Sequence, residues 1–544
     1  MNNRAENLER LQGQKFDVLV IGAGINGAVS AASLSARGVR VALIDRRDFA
    51  GSTSSNSSNL AWGGIKYLEG HEYRLVSKLC KSRNRLMRAY PSSIREIRFL
   101  TSVFRGFRFS PAFLFAGSLL YWALGRFALR PPKLLTRRRL RASAPAVAPE
   151  NLIGGIEYSD GYVHDNDSRF VFNFVRDAMK RGCVAANYAH ALGSRRLDGL
   201  WVTRVKDVET GKVIEVTSAV LINACGPETD RQNEDLGLKT EHRHVFSKGV
   251  HLMVNRRSTR HRILTFFASD GRLFFVIPMG PALCVGTTDT PVPSPQVAVT
   301  EKDRQFILEN VNRLLRFDQP LTRSDIISER CGVRPLAVRG EGQVANWSKM
   351  SRKHVIDVNE NDRCLSIFGG KLTDCLNVGD EVARAVQKLD VTLNVRDQRW
   401  YGEDDASVKQ KFFDRAQAMR LDERAARDGV ESLTERLWRR YGADALAMLD
   451  AIEVDPTAAD LVIESAEYLR CEVEHAARWE MVTRLEDFLR RRSKIELVIP
   501  SEQWATREGL FEACQILFGD RADQKLQEYL MERFPEALRE RKSV

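Results

Sequence analysis

Nine cysteines are present, yet no two are spaced as CxxC, and that absence removes zinc ribbons and dithiol redox motifs from consideration. Scattered thiols of this kind fit a reducing compartment, where they stay reduced. Zinc-finger spacing, an aromatic RNA-binding signature and basic heptads are missing too. The net charge of +12 is therefore not read as a nucleic-acid footprint, and no nucleic-acid partner is expected. Anionic lipid and an anionic substrate are the remaining explanations for the arginine excess. The opening residues Met1 to Glu9 lack the apolar core of a secretion signal, which leads to the expectation of a cytoplasmic catalytic body. No ligand cluster suggests a metal. Internal repeats and low-complexity linkers are absent, and 544 residues leave room for about three domains or subdomains.

What is present begins with Val18-Leu-Val-Ile-Gly22-Ala-Gly24-Ile-Asn-Gly27, a helical run, and Val39-Arg-Val-Ala-Leu-Ile-Asp45. Strand, glycine turn, helix and a second strand ending in an acid form a dinucleotide site. Gly22 permits the tight turn, Gly24 lets backbone approach a pyrophosphate, and Gly27 lets helix and strand pack closely. The helix N-terminus offers N–H groups to the phosphates. Asp45 stands where a carboxylate accepts hydrogen bonds from an adenosine ribose. The motif by itself does not separate FAD from NAD. The polar loop Gly51-Ser-Thr-Ser-Ser-Asn-Ser-Ser-Asn59 follows, able to present hydroxyls and N–H groups to a phosphate or flavin edge, or simply to be solvated.

The most apolar stretch runs from Phe104 to Arg130. Its uncharged part is 17 residues, roughly 25 Å as a helix and short against a hydrocarbon core of about 30 Å. Flanking arginines, including Arg137-Arg-Arg-Leu-Arg141, and the aromatic pair Tyr121-Trp122 suit a segment lying in a membrane interface; a buried core helix is the alternative. The spacing predicts a helix over 168–181, a buried strand over 219–226, and an antiparallel sheet between His242 and Thr290 walling a pocket. Leu365-Ser-Ile-Phe-Gly369-Gly370-Lys371 reads as a strand whose glycines bring backbone close to a ligand. Beyond about residue 400 the pattern is helical and heavily charged, with the charge runs expected on solvated faces.

Six motifs in order then carry a resemblance: Gly22-x-Gly24-Ile-Asn-Gly27-Ala, the Thr-Ser-Ser loop, Gly63-Gly64-x-x-Tyr67-Leu-Glu, Gly286-Thr-Thr-Asp289, Gly332-Val-Arg-Pro335 and Phe368-Gly-Gly-Lys-Leu-Thr373. Along nearly its whole length the chain resembles the FAD-dependent, respiratory glycerol-3-phosphate dehydrogenases. That resemblance implies a Rossmann-like FAD-binding domain of the glutathione-reductase/DAO type with an antiparallel-sheet substrate domain, in α/β + α arrangement. The boundaries implied are 14–395 for the oxidoreductase body, with FAD-binding segments about 14–64, 151–240 and 346–395 and substrate segments about 65–150 and 241–345; a helical domain spans 400–544. It implies oxidation of sn-glycerol 3-phosphate to dihydroxyacetone phosphate and electron transfer to a membrane quinone. Peripheral attachment to the inner face of an anionic membrane through about 104–141 is implied as well, and a homodimer is left open.

Carried over residue by residue, FAD falls to Gly22, Gly24, Gly27, Asp45, Thr53, Ser54, Ser55, Ser57, Ser58, Gly63, Gly64, Ala224, Gly226, Gly369, Gly370, Lys371, Leu372 and Thr373. The substrate falls to Lys66, Tyr67, Thr287, Thr288, Arg334 and Arg352, with Arg334, Lys371 and His251 as catalytic candidates. Guanidinium forks match a phosphate, and hydride loss from a secondary alcohol needs a base for the hydroxyl proton. The family usually reads Ser-Lys-Leu-Ile-His-Gly-Gly-Leu-Arg-Tyr where this chain has Ser58-Asn59-Leu-Ala-Trp62-Gly-Gly-Ile-Lys66-Tyr67, and Thr-Tyr-Arg where it has Asp374-Cys-Leu376. Trp62 cannot shuttle protons near neutral pH. A related enzyme acting on a different hydroxyl or amine substrate is the competing expectation.

Overall fold

The computed structural model describes residues 3–255, 262–340, 353–395, 399–424, 431–463, 466, 468–501 and 508–534. They fall into two compact units, Leu11–Gly402 and a second made of Met1–Arg10 with Glu403–Val544.

The larger unit contains two sheets. The first has the strand order Val355–Asn359, Cys364–Phe368, Val213–Asn223, Lys15–Ile21, Val41–Ile44, Val184–Ala186. Its central pairings are parallel. Parallel strands are covered on both faces and read as unbroken apolar runs, and all four residues of Val41–Ile44 are buried. The opening helix Ile25–Ser35 is built from small residues and is buried along nearly its whole length. It lies against the helices Asp167–Lys180 and Cys375–Lys388. Such a helix approaches the sheet closely because it carries so little side-chain bulk.

The second sheet is larger and mostly antiparallel, with ten strands. Its backbone is the long pair His242–Val254 and Ile326–Arg339, in which Ser247 faces Arg334 and His251 faces Arg330. Residues opposite each other in an antiparallel pair point to the same face, and so do residues two apart. The register therefore places Ser247, His251, Arg330 and Arg334 on one surface. The opposite side packs Val250, Leu252, Val254 and Phe266 into an apolar core closed by the helix Glu301–Leu314.

The apolar stretch forms the helix Pro111–Leu124, started by Ser110, whose hydroxyl accepts from the Phe113 N–H. It is not a core helix. Ser118 and Tyr121 face inward, whereas Phe113 is 60% exposed and Leu119, Leu120 and nearby Phe127 are exposed too. No helix among the described residues is long and apolar enough to cross a membrane.

In the smaller unit the helices Ala406–Ala418, Leu433–Tyr441, Ala445–Val454 and Arg470–Trp479 enclose Phe412, Leu437, Trp438 and Leu449. Here the expectation of solvated charge runs is corrected. Arg436, Arg439 and Arg440 are buried, and so are Arg491 and Arg492. The fully buried Glu472 holds Arg436 at 2.5 Å and Arg440 at 3.3 Å and accepts from the Tyr441 hydroxyl at 3.1 Å. Asp487 does the same for Arg491 at 2.6 Å. A buried charge persists only when paired and hydrogen-bonded, and these partners lie about 32–36 residues away for Glu472, beyond any helical period.

Candidate active site

The glycine turn forms one wall of a cleft at the ends of the parallel strands. Gly22 has φ +97°, and a side chain there would meet the Ala224 carbonyl at 2.6 Å. A Cβ on Gly27 would stand 1.8 Å from the Gly22 carbonyl oxygen. These two positions are closed to any other residue, whereas Gly24 faces only the Ser54 hydroxyl at 3.3 Å. Ser54 Oγ accepts from the Ile25 N–H at 3.0 Å and so settles one donor of the opening helix from across the cleft.

Asp45 accepts from the Ala23 N–H at 2.7 Å and the Arg47 N–H at 2.9 Å. Burial pushes its carboxyl up to about 6 despite those two donors. Each oxygen keeps a lone pair for a further donor such as a ribose hydroxyl. Ala224, Gly226, Thr53, Gly369 and Gly370 line the same cleft. The far return is tied to the glycine turn by Asn26, whose side-chain NH2 donates to the Gly369 carbonyl at 3.0 Å across 343 residues of sequence. The buried Asn26 Oδ1 has no protein partner among the described residues. A glycine cradle, an orphaned acceptor and a ribose-ready carboxylate fit a flavin dinucleotide.

The Ser/Thr loop divides. Thr53 donates from its hydroxyl to the Val333 carbonyl at 3.0 Å, and Ser54 lines the cleft. Ser55 instead donates to the Ser52 carbonyl at 2.9 Å, and the Ser57 hydroxyl is spent on the buried Asp167. Ser58 is half-buried and does not line the cleft. The loop passes close over the second sheet because Gly332 has no side chain: a Cβ there would meet the Asn56 Cβ at 2.9 Å. Beneath it the fully buried Arg330 donates to the Ser57 carbonyl and to Asn59 Oδ1, each at 2.7 Å. Arg330 and Asp167 were not singled out from the sequence; a basic residue four places before Arg334 on the same strand is the signal that period-two alternation offers.

Gly63, Gly64, Leu372 and Thr373 are not among the described residues that line the glycine-turn cleft. The Gly63 N–H donates to the fully buried Asp160 at 3.2 Å, and Asp160 also takes the Tyr121 hydroxyl at 2.5 Å and Arg83 at 2.9 Å. Thr373 donates to the Trp62 carbonyl at 3.3 Å. A Cβ on Gly63 would strike the Tyr121 hydroxyl, so the exposed apolar helix and this turn are directly packed.

Two cationic groups expected to act on the substrate are held in place by neighbouring side chains. Lys371 Nζ donates to the Tyr67 hydroxyl at 2.5 Å and sits 4.2 Å from the centre of that ring. Arg334 donates to Thr287 Oγ1 at 3.1 Å, the Thr288 carbonyl at 3.3 Å and Asp289 at 3.3 Å. Gly249 makes room for that guanidinium, since a Cβ there would lie 2.6 Å from it. Thr288 is buried with its hydroxyl accepting from the Val250 N–H at 2.9 Å, so it meets Arg334 through its carbonyl alone, whereas Thr287 does so through its side chain. Between the cations, Trp62 touches Tyr67 and Phe275, with ring centres 6.2 and 6.3 Å apart. Phe275 pairs with Gly286, which pairs in turn with His251. Lys66 lies half-buried beside Tyr67.

His251 is buried, and neither ring nitrogen has a partner among the described residues. Burial, then the Arg334 and Arg330 charges, hold its imidazole down at about 3. It is neutral at physiological pH. Arg352 lies outside the described residues.

Asp374, one of the departures from the family pattern, is buried against the helix Tyr73–Ala89: Ser82 donates to it at 2.8 Å, Asn377 at 2.6 Å, Lys78 stands at 3.3 Å and His354 at 3.1 Å. Its carboxylate is satisfied by structural partners.

Comparison with known proteins adds the following. Residues 17–356 match the family model "FAD dependent oxidoreductase", and residues 399–517 match "C-terminal domain of alpha-glycerophosphate oxidase". Glycerol-3-phosphate dehydrogenase 2 of Mycobacterium tuberculosis (strain H37Rv) is 32% identical over 515 residues, covering 91% of this chain and 84% of the relative. Aerobic glycerol-3-phosphate dehydrogenase of Escherichia coli K12 is 30% identical over 499 residues, covering 90% and 95%. The solved structure of the glycerol-3-phosphate dehydrogenase from Bacillus halodurans, complexed with FAD, superposes with a TM-score of 0.74 at 24% identity, covering 98% of this chain and 97% of that one.

Proposed function

From its membership of the FAD-dependent glycerol-3-phosphate dehydrogenase family, to which this chain belongs, we propose that it oxidises sn-glycerol 3-phosphate to dihydroxyacetone phosphate and delivers the electrons to a membrane quinone. The protein is an FAD-dependent oxidoreductase, and its cofactor, when bound, supplies the acceptor for the hydride that leaves the carbinol carbon. The observation that carries the substrate reading is the guanidinium of Arg334, held by Thr287 and Asp289 over a glycine, on the sheet face shared with the unpartnered His251.

The residues divide the work by chemistry. Arg334 offers a planar fork to the phosphate, which a lysine would not reproduce. Lys371, oriented by Tyr67, stabilises negative charge developing on the substrate oxygen. His251 accepts the hydroxyl proton on a ring nitrogen. Burial first, then the Arg334 and Arg330 charges, hold its basicity down, and a phosphate dianion on Arg334 offsets the charge part. Trp62 walls the pocket with Tyr67 and Phe275 and excludes water.

The quinone and the membrane enter together. Exposed Phe113, Leu119, Leu120 and Phe127, with exposed Arg126, Arg137, Arg138 and Arg141 around them, support peripheral attachment at the inner face of an anionic bilayer. Purified holoprotein mixed anaerobically with glycerol 3-phosphate is expected to lose its flavin colour. Retention of that colour, with bleaching by another alcohol or an amine, would transfer the assignment to the reading that Trp62 has changed the substrate.

A further inference from the structure

Outside the active site, the helix Tyr73–Ala89 carries a second basic feature that the reaction does not use. Arg74, Ser77, Lys78, Lys81 and Arg85, with Asn377 from the facing helix, line an open pocket of about 420 Å³. Their spacing of i, i+3, i+4, i+7 and i+11 makes one stripe along the helix. Like charges four residues apart destabilise a helix by a few tenths of a kcal/mol each, and here Arg74–Lys78 and Lys81–Arg85 are two such pairs, with Lys78 and Lys81 three residues apart between them.

Protein anions answer only part of that charge. Arg85 is bound by Asp380 at 2.7 Å and by the Tyr401 hydroxyl at 3.0 Å. Lys78 leans inward to Asp374 at 3.3 Å and Glu381 at 3.8 Å. Arg74 and Lys81 are exposed, and among the described residues neither has an ion-pair or hydrogen-bonding partner. Ser77 adds a hydroxyl between them. Arg74 and Lys81 are seven residues apart, about 10 Å along the helix axis. Over that length a short run of phosphoryl groups can give Arg74, Lys78 and Lys81, all lining one pocket, a phosphoryl group each.

We propose that this pocket is a binding site for a polyanion carrying several phosphoryl groups, held by Arg74, Lys78 and Lys81. Two sources present that chemistry: a soluble oligophosphate such as a nucleoside triphosphate, and the phosphates of adjacent anionic lipid headgroups. The site is separate from the proposed reaction: among the described residues its lining shares none with the glycine cleft and does not include Arg334 or Lys371.

The test uses the FAD-loaded full chain with two probes, inorganic tripolyphosphate followed by calorimetry, and vesicles of phosphatidylglycerol against vesicles of phosphatidylcholine followed by sedimentation. At least one probe is expected to bind saturably, more weakly at high salt, and roughly tenfold or more weakly in the Arg74→Ala/Lys81→Ala variant. Flavin reduction by substrate should be unchanged in that variant. Tripolyphosphate responding alone assigns a soluble ligand, and phosphatidylglycerol vesicles responding alone assign a headgroup. An equal loss in the control variant Arg181→Ala/Lys212→Ala, which removes two exposed cations elsewhere, would reduce the effect to net charge and overturn the site. So would failure of both probes to bind, or loss of tripolyphosphate binding on Arg334→Lys rather than on Arg74→Ala/Lys81→Ala.

Discussion

The glycine-turn cleft and the proposed substrate pocket share one unit of the chain but are made of different material. At its glycine walls the cleft is shaped by backbone, Gly22, Gly24, Gly369, Gly370 and the Ala224 carbonyl, with side chains such as Asp45, Arg46 and Ser54 around them. The pocket is made of side-chain ends, Lys371 on Tyr67, Arg334 on Thr287 and Asp289, and Trp62 between aromatic rings. Where backbone meets backbone, as at Gly22 and Gly27, no atom can be added, while a side-chain surface tolerates exchange at graded cost. The two should therefore fail differently when altered.

The largest effect expected is at Gly27. Its replacement by valine drives a methyl-bearing carbon into the Gly22 carbonyl, 1.8 Å from where a Cβ would lie. Gly27→Val protein should purify colourless and stay colourless after titration with FAD. Gly24→Ala meets only a movable hydroxyl at 3.3 Å and should keep its flavin. Equal flavin content in the two variants would break the distinction between strict and lenient glycines.

In the pocket the loss should be catalytic instead. Arg334→Lys keeps the charge and removes the fork that Thr287 and Asp289 position. We expect flavin content at the wild-type level and kcat/KM for glycerol 3-phosphate lower by roughly two orders of magnitude. Tyr67→Phe removes one hydrogen bond to the Lys371 ammonium, worth about 1.5–3 kcal/mol for a charged partner, and a fall of about tenfold or somewhat more is expected in steady-state rates. If either variant lost its flavin, cofactor and substrate surfaces would not be separable.

The same contrast explains what could be read in advance. A glycine turn declares itself locally, because strand, turn, helix and acid all lie within 31 residues, from Lys15 to Asp45. The second wall, at Gly369, is legible as a strand ending in two glycines, but its tie to Asn26 is not, since 343 residues intervene. Distribution of hydroxyls along the Ser/Thr loop is decided by what lies beneath. Arg330 and Asp167 claim its far half, and only Thr53 and Ser54 turn toward Val333 and the cleft. Asp374 follows Thr373 at the end of a single 3-10 turn, and which way it points depends on Ser82 and His354 on other elements. Buried Arg436 and Arg440 of the smaller unit escaped for the same reason, because Glu472 neutralises them from 36 and 32 residues away.

The smallest effect is on stability, and it comes from Asp374 and His354 beneath the pocket. Burial opposes the protonated imidazole of His354, but contacts with Asp374 at 3.1 Å and Glu381 at 2.7 Å outweigh it and raise the group to about 9 from 6.5. Burial likewise opposes the Asp374 carboxylate, and His354, Ser82 and Lys78 overcome it, lowering the acid to about 2 from 3.8. A raised histidine contributes stability that is complete below pH 6.5 and is lost as pH climbs through about 9; a lowered aspartate contributes above 3.8 and is lost as pH falls through about 2. Thermal unfolding of the holoprotein should thus hold a plateau between those flanks, with a decline of several degrees setting in on the alkaline side from near neutrality. His354→Gln should lower the plateau and flatten that alkaline decline, while leaving flavin binding and the KM for glycerol 3-phosphate near wild type, because neither cleft is built on this pair. An unchanged alkaline slope in His354→Gln would assign the decline to other groups and leave the ion pair without a role in the pH response.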